Sequence, residues 1–128
     1  MAKRFLVLVA VLALTVEVAA AQDARAATPA VERFGVFGTS IAGTWLFAEL
    51  QGGVGFFVDE DPNRIGRRFG ERPICDPMTV PAGACVFVGL GAGLADRVAG
   101  RMQAIRPDVT WLVPPLSTPV GIGAGKPL

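Results

Sequence analysis

Residues 34 to 61, FGVFGTSIAGTWLFAELQGGVGFFVDED, constrain the chain more than any other stretch. Phe34–Phe37 is a short apolar run, Gly38-Thr39-Ser40 a tight glycine turn, and Ile41–Leu50 has the length and apolar content of a helix packed on a core. A Gly-Gly break ends that helix, and a second apolar run, Val54–Val58, closes on three acids. Strand, helix and strand in that order form a βαβ unit, in which the two strands lie parallel. A strand that runs straight into a helix aims unpaired backbone N–H groups, and the positive end of the helix dipole, at one place. Phosphate is the usual occupant of such a place.

The alternation continues downstream. Between Asp59 and Gly83 the prolines at 62, 73, 77 and 81 leave no room for a useful helix, so a long loop is expected, with one short extended piece at Pro73–Cys75. Ala84–Leu90 (ACVFVGL) is continuously apolar and β-branched or aromatic, as a strand covered on both faces is. Gly89, Gly91 and Gly93 lead into a second helix, where Leu94, Val98, Met102 and Ile105 recur at helical spacing and Pro107 enforces the stop. Val109–Val113 reads as a fourth strand. The order β-α-β-loop-β-α-β predicts an α/β fold: a small Rossmann-like three-layer domain with a short parallel sheet over residues 33–113. A chain of 128 residues holds one such domain and not two.

Residues 1–21 carry a basic start (Lys3, Arg4), an apolar run from Phe5 to Val16, and Ala19-Ala20-Ala21 before Gln22. That composition fits a secretory signal cleaved after Ala21, and it also fits an apolar N-terminal helix. The run is shorter than the roughly 20 apolar residues that span a bilayer, so no stable membrane span is expected. Residues 22–32, Ala-rich and containing Pro29, read as a linker; residues 114–128, with four prolines and three glycines from Pro114 on, read as a disordered tail.

Composition removes several chemistries. The 12 Lys and Arg against 11 Asp and Glu give no field that would draw nucleic acid. The absence of His and Tyr removes Ser-His-Asp and Cys-His pairs and His-ligated zinc. Cys75 and Cys85 have no further Cys or His to complete a metal site, and read as two small half-buried residues.

The candidate site lies at the glycine turn. Gly38 allows the sharp change of direction, and Thr39 or Ser40 can cap the helix or meet a phosphate. Asp59 ends the second strand 21 residues after Gly38, where nucleotide-binding α/β folds keep an acid for ribose hydroxyls. Glu60 and Asp61 suit capping of the turn at Pro62 and Asn63. Arg64, Arg67, Arg68 and Arg72 follow in one loop near the same carboxyl edge, and arginine forks suit phosphate oxygens or pair with Asp61 and Glu71. The run Gly35 to Gly43 does not read as G-x-G-x-x-G. Near the C-terminus, Gly121 to Lys126 has the wrong spacing for a phosphate loop, and Pro127 replaces the required Ser or Thr.

At Phe34–Leu46, Phe56–Pro77 and Val80–Leu90, above all in V-D-E-D-P-N-R-I-G-R (Val58–Arg67), the chain resembles the C-terminal domain of SAM-dependent C-methyltransferases of the sugar-modifying type. The resemblance covers about Phe34 to Met102. It implies a Rossmann-like domain that helps to hold a nucleotide-linked substrate through Gly38, Thr39, Ser40, Asp59, Asn63 and Arg67. It also implies a separate SAM-binding methyltransferase subunit or domain as partner, because the zinc-binding Cys cluster and SAM-binding domain of those enzymes have no counterpart in these residues. No cofactor is expected on this chain itself, and no independent catalysis. Activated sugars and SAM place such a domain in the cytoplasm. The alternative is an exported, non-catalytic interaction protein that keeps the fold as a scaffold.

Overall fold

A computed structural model describes residues 18–28, 30–39, 41–50 and 53–114. Residues 1–17 of the expected leader, Ser40, and residues 115–128 of the expected tail lie outside the described residues. The fold is mixed α/β. Among the described residues there are six strands, β1 (Phe34–Phe37), β2 (Phe56–Val58), β3 (Arg68–Phe69), β4 (Arg72–Cys75), β5 (Cys85–Val88) and β6 (Thr110–Leu112). They form one sheet in the order β3-β4-β2-β1-β5-β6, parallel throughout except where β3 joins β4. The helices are α1, helical over residues 18–27, α2 (Ile41–Glu49) and α3 (Ala92–Ile105).

Alternation along the strands sends side chains to two cores. Phe34, Val36, Phe57, Ile74 and Phe87 meet Val18 and Ala21 of α1 and Leu46 of α2 on one face. Phe37, Phe56, Val58, Val86, Val88 and Trp111 meet Ala95, Val98, Ala99 and Met102 of α3 on the other. Every residue of β1 and β2 is buried, which is why these strands read as unbroken apolar runs rather than alternating ones. Among the described residues no helix is long and apolar enough to cross a membrane.

Three expectations change. The stretch expected as a linker over residues 22–32 is helical to residue 27. Alanine has the best intrinsic helix propensity, and here Ala21 also finds the sheet and is fully buried. Second, the long loop contains a hairpin. Gly70 (φ +53°) and Glu71 (φ +65°) form the two-residue turn between β3 and β4, both with the positive φ that suits the twist of a hairpin. β4 then pairs in parallel with β2, so the piece expected at Pro73–Cys75 is a full member of the sheet. Pro73 is tolerated because the pairing of β4 with β2 begins only at Ile74, so β2 makes no use of the N–H that proline lacks.

Third, the buried stripe of α3 is Ala95, Val98, Ala99 and Met102, while Leu94 and Ile105 are 47% and 48% exposed. The stripe keeps the expected i, i+3, i+4, i+7 spacing but is rotated by one position at its start, because two alanines let the helix approach the sheet closely.

Between β4 and β5 the chain crosses the sheet without a long helix, using a 3-10 turn at Pro77–Thr79 whose N-cap Asp76 accepts from the Met78 amide. Arg106 ties this crossover down. Its guanidinium, 11% exposed, donates to the carbonyls of Pro77 (2.9 Å) and Val80 (2.8 Å) and to both oxygens of Asp108. The Arg106 bonds hold the Asp108 carboxyl below the usual aspartate range. Arg106→Ala leaves two carbonyls and a carboxylate without their donor and is expected to cost about 2 to 3 kcal/mol in urea unfolding at neutral pH. A loss under about 0.5 kcal/mol, the level of an ordinary surface pair, would contradict this role. Because the carboxyl is depressed in the folded state, its share of the stability is present above the usual aspartate range and is lost as pH falls through the lower folded value.

Cys75 packs toward the α3 face and Cys85 toward the α1 and α2 face, with β2 and β1 between their strands. Three strand spacings come to about 14 Å, well beyond disulfide reach. Burial pushes both thiols up, so alkylation of the native chain at pH 8 is expected to run at least about tenfold slower than in urea. Equal rates would show that the sheet does not cover them.

Candidate functional site

From β1 the chain steps through β2 to β4 in one direction along the sheet, then returns to place β5 and β6 on the other side of β1. Consequently the connections leaving the carboxyl ends of β1 and β5 depart to opposite faces, α2 to one and α3 to the other. A crevice opens where strand order reverses in this way, and ligands of open α/β sheets gather there.

Glycines shape both walls. Gly38 has φ +105°, where side chains are strained, and its amide donates to the Val58 carbonyl at 2.9 Å, tying the turn to β2. The Gly89 amide does the same for β5, donating to the Phe37 carbonyl at 3.1 Å. A Cβ on Gly43 would lie 2.5 Å from the Gly38 carbonyl oxygen, so α2 presses directly on the turn. Sequence reasoning missed Gly43, although a signal was there. Counted from Gly38 rather than Gly35, the run G-T-S-I-A-G has the first-to-third glycine spacing of the dinucleotide fingerprint, with Ser40 at the place of the second. Gly38 makes the tight turn and Gly43 the close helix packing. Gly91 caps α3 without any side-chain hydrogen bond, which leaves the first amides of that helix to other partners.

Asp59 stands at the end of β2, 8% exposed, beside the Gly38 turn. Its Oδ1 accepts from the Asp61 amide at 2.9 Å. Its Oδ2 accepts from the Thr39 hydroxyl at 3.3 Å and from Arg64 Nη1 at 3.2 Å. Arg64 Nη1 also donates to Thr39 Oγ1 at 3.4 Å, and its Nε lies 3.7 Å from Asp61. Gly38, Thr39 and Asp59 are thus brought together as expected. Asn63 joins only through its backbone, which donates to Asp61 Oδ1 at 2.9 Å; Asp61 therefore caps the turn as its neighbours suggested.

The arginine cluster expected at this rim does not form. Arg67 is exposed and enters the hydrogen-bond pattern through its backbone, donating to the Arg64 carbonyl and accepting from the Ile74 amide. Arg68 binds the Glu71 carbonyl, and Arg72 reaches the Val54 carbonyl before β2, at the opposite end of the sheet. The hairpin carries Arg68 and Arg72 away, and the guanidinium that reaches Asp59 is that of Arg64. Glu60 also departs from expectation: it takes both ends of the Arg101 guanidinium and raises that arginine's already high pKa, joining the rim to α3.

At the other edge of the sheet, Gln22, Arg25, Glu49 and Gly53 line a shallow depression of about 510 Å³. It is open to solvent, and none of the glycine turns, strand carboxyl ends or the Asp59 corner reaches it; the convergent chemistry is at the rim.

Comparison with models of protein families, with curated proteins and with solved structures finds no match.

Proposed function

We infer that this chain is a nucleotide-recognition domain whose ligand, a nucleotide-linked sugar, lies across the carboxyl rim with its phosphates at the Gly38 turn and its ribose at Asp59. The observation that carries the reading is the pairing of a positive-φ glycine with a strand-end acid at the point where strand order reverses. Counting only the parallel strands, the order runs 3-2-1-4-5, the order of a Rossmann-like sheet, and this supports that finer description of the fold.

The C-methyltransferase resemblance supports the same ligand class. In it, methyl transfer is the work of a SAM-binding domain, so the role proposed for this chain is to hold the acceptor for a separate SAM-binding partner. Cytoplasmic residence follows from that ligand. The full burial of Ala21 inside α1 favours it over export, because a chain starting at Gln22 would lose Val18 and Ala21 from the core.

Calorimetric titration of the whole chain with nucleoside diphosphate sugars is the test. Saturable binding, at dissociation constants from micromolar to low millimolar, is expected. No heat and no saturation at about 5 mM of any of them would end the proposal.

A further inference from the structure

Crossovers between parallel strands usually carry a helix, and parallel sheets are covered on both faces. The connection from β4 to β5 departs from this: residues 76–84 hold only the 3-10 turn at Pro77–Thr79. On the α3 face a groove of about 200 Å³ is left between that turn and the C-terminal half of α3, lined by Glu60, Asp76, Pro77, Met78, Met102 and Ile105. Met102 is buried, whereas Met78 and Ile105 are 61% and 48% exposed and leave apolar side chains without cover. Unbranched methionines adapt to whatever apolar group meets them.

The charge of the groove is negative. Arg101 is committed to Glu60 through two hydrogen bonds, and Arg106 to Asp108 and the carbonyls of Pro77 and Val80. Asp76 gives one oxygen to the Met78 amide and, among the described residues, has no ion pair. An apolar groove with an uncompensated carboxylate suits an apolar segment that carries a cation.

The chain holds such a segment. Lys3 and Arg4 directly precede the apolar run from Phe5 to Val16, which no charged residue interrupts. Lys126, near the other terminus, stands between Gly125 and Pro127 with no such run beside it. Residues 1–17 lead into α1, and α1 packs on the face of the sheet opposite the groove. A chain's own leader would have to round the sheet to reach it; the leader of a second chain would not.

We propose that two copies of this chain form a twofold dimer by exchanging leaders. Residues 3–16 of each copy lie in the groove of the other, with the basic end against Asp76 and apolar side chains between Met78 and Ile105. The two contacts are identical, as a twofold axis requires, and they close the assembly at two chains. The exchange needs a leader that stays on the chain, which the burial of Ala21 within α1 supports. Neither surface includes Gly38 or Asp59, so dimer formation and nucleotide binding can fail separately.

Sedimentation velocity of the full chain, diluted in steps from about 100 μM, is the test. A monomer–dimer equilibrium is expected, with a dissociation constant in the micromolar range. Met78→Glu and Ile105→Glu, which add like charge where the apolar contact forms, each raise that constant at least about tenfold. Lys3→Glu and Arg4→Glu made together do the same, and Asp76→Asn, which keeps the acceptor for the Met78 amide, raises it about threefold. Leu94→Glu and Trp45→Glu alter similarly exposed apolar residues outside the groove and leave the constant within about twofold. Thermal melts establish that each variant is folded. A chain monomeric at the highest concentration, or one that assembles beyond two copies, overturns the proposal. So does a dimer that Met78→Glu and Ile105→Glu leave intact, one that the reversal at Lys3 and Arg4 leaves intact, or one that Leu94→Glu or Trp45→Glu weakens as strongly.

Discussion

Gly43→Ala is expected to destabilise the chain by about 2 kcal/mol, although alanine is the better helix former by about 1 kcal/mol. Gly43 lies inside α2, where an added methyl meets the backbone carbonyl of Gly38 at 2.5 Å and cannot be relieved by turning a side chain. The helix must lift away from the turn, so the same substitution should disturb the rim. Gly100→Ala is the matched control, since it sits in α3 with nothing within 4 Å of the new methyl. It should gain about 0.5 to 1 kcal/mol from propensity and the reduced freedom of the unfolded chain. Chemical denaturation of both variants gives the signs. If Gly43→Ala stabilised as Gly100→Ala does, α2 would not press on the turn and the glycine wall of the crevice would be lost.

Asp59→Ala is expected to weaken nucleotide binding about tenfold to a hundredfold, the worth of a hydrogen bond to a charged group. It also frees Thr39, Arg64 and the Asp61 amide together, so some folding stability, about 1 to 2 kcal/mol, should go with it. Asp59→Asn separates the two effects. It keeps the carbonyl that the Asp61 amide needs and loses the charge that pairs with Arg64, so stability should largely return while affinity does not. An affinity unchanged in both variants, with the chain folded, would remove Asp59 from any binding role.

Much of this arrangement was legible in the residues. The βαβ unit and the later strand-helix-strand announce themselves because buried parallel strands are continuously apolar, and glycines and Pro107 punctuate them. The hairpin of β3 and β4 was hidden for a physical reason. Two residues pair with four, one of them proline, and the turn is Gly70-Glu71 rather than Asn-Gly, so its partner strand β2 decides the structure more than local preference does. Helix α1 was hidden because alanine serves helix and linker alike, and only the exposed floor of the sheet beneath Val18 and Ala21 distinguishes them. The rotation of α3 follows from closeness of approach, which periodicity does not encode.

At the site, Gly38, Thr39 and Asp59 were readable from position alone, because strand ends fix where a turn and an acid meet. The arginines were not. Which of Arg64, Arg67, Arg68 and Arg72 faces the acid depends on the path of the hairpin, and that path sends Arg72 to the far edge and leaves Arg64 at the rim. Gly43 was overlooked because the count began at Gly35, three residues before the glycine that makes the turn.

The most direct measurement is amide shift mapping of the 15N-labelled full chain during titration with a nucleoside diphosphate sugar. A ligand at the rim moves Gly38, Thr39, Asp59, Arg64 and the Gly89–Gly91 turn, and leaves Gln22, Arg25 and Gly53 in place. Shifts confined to those last three residues, or none at millimolar ligand, would contradict a nucleotide site where the strand order reverses.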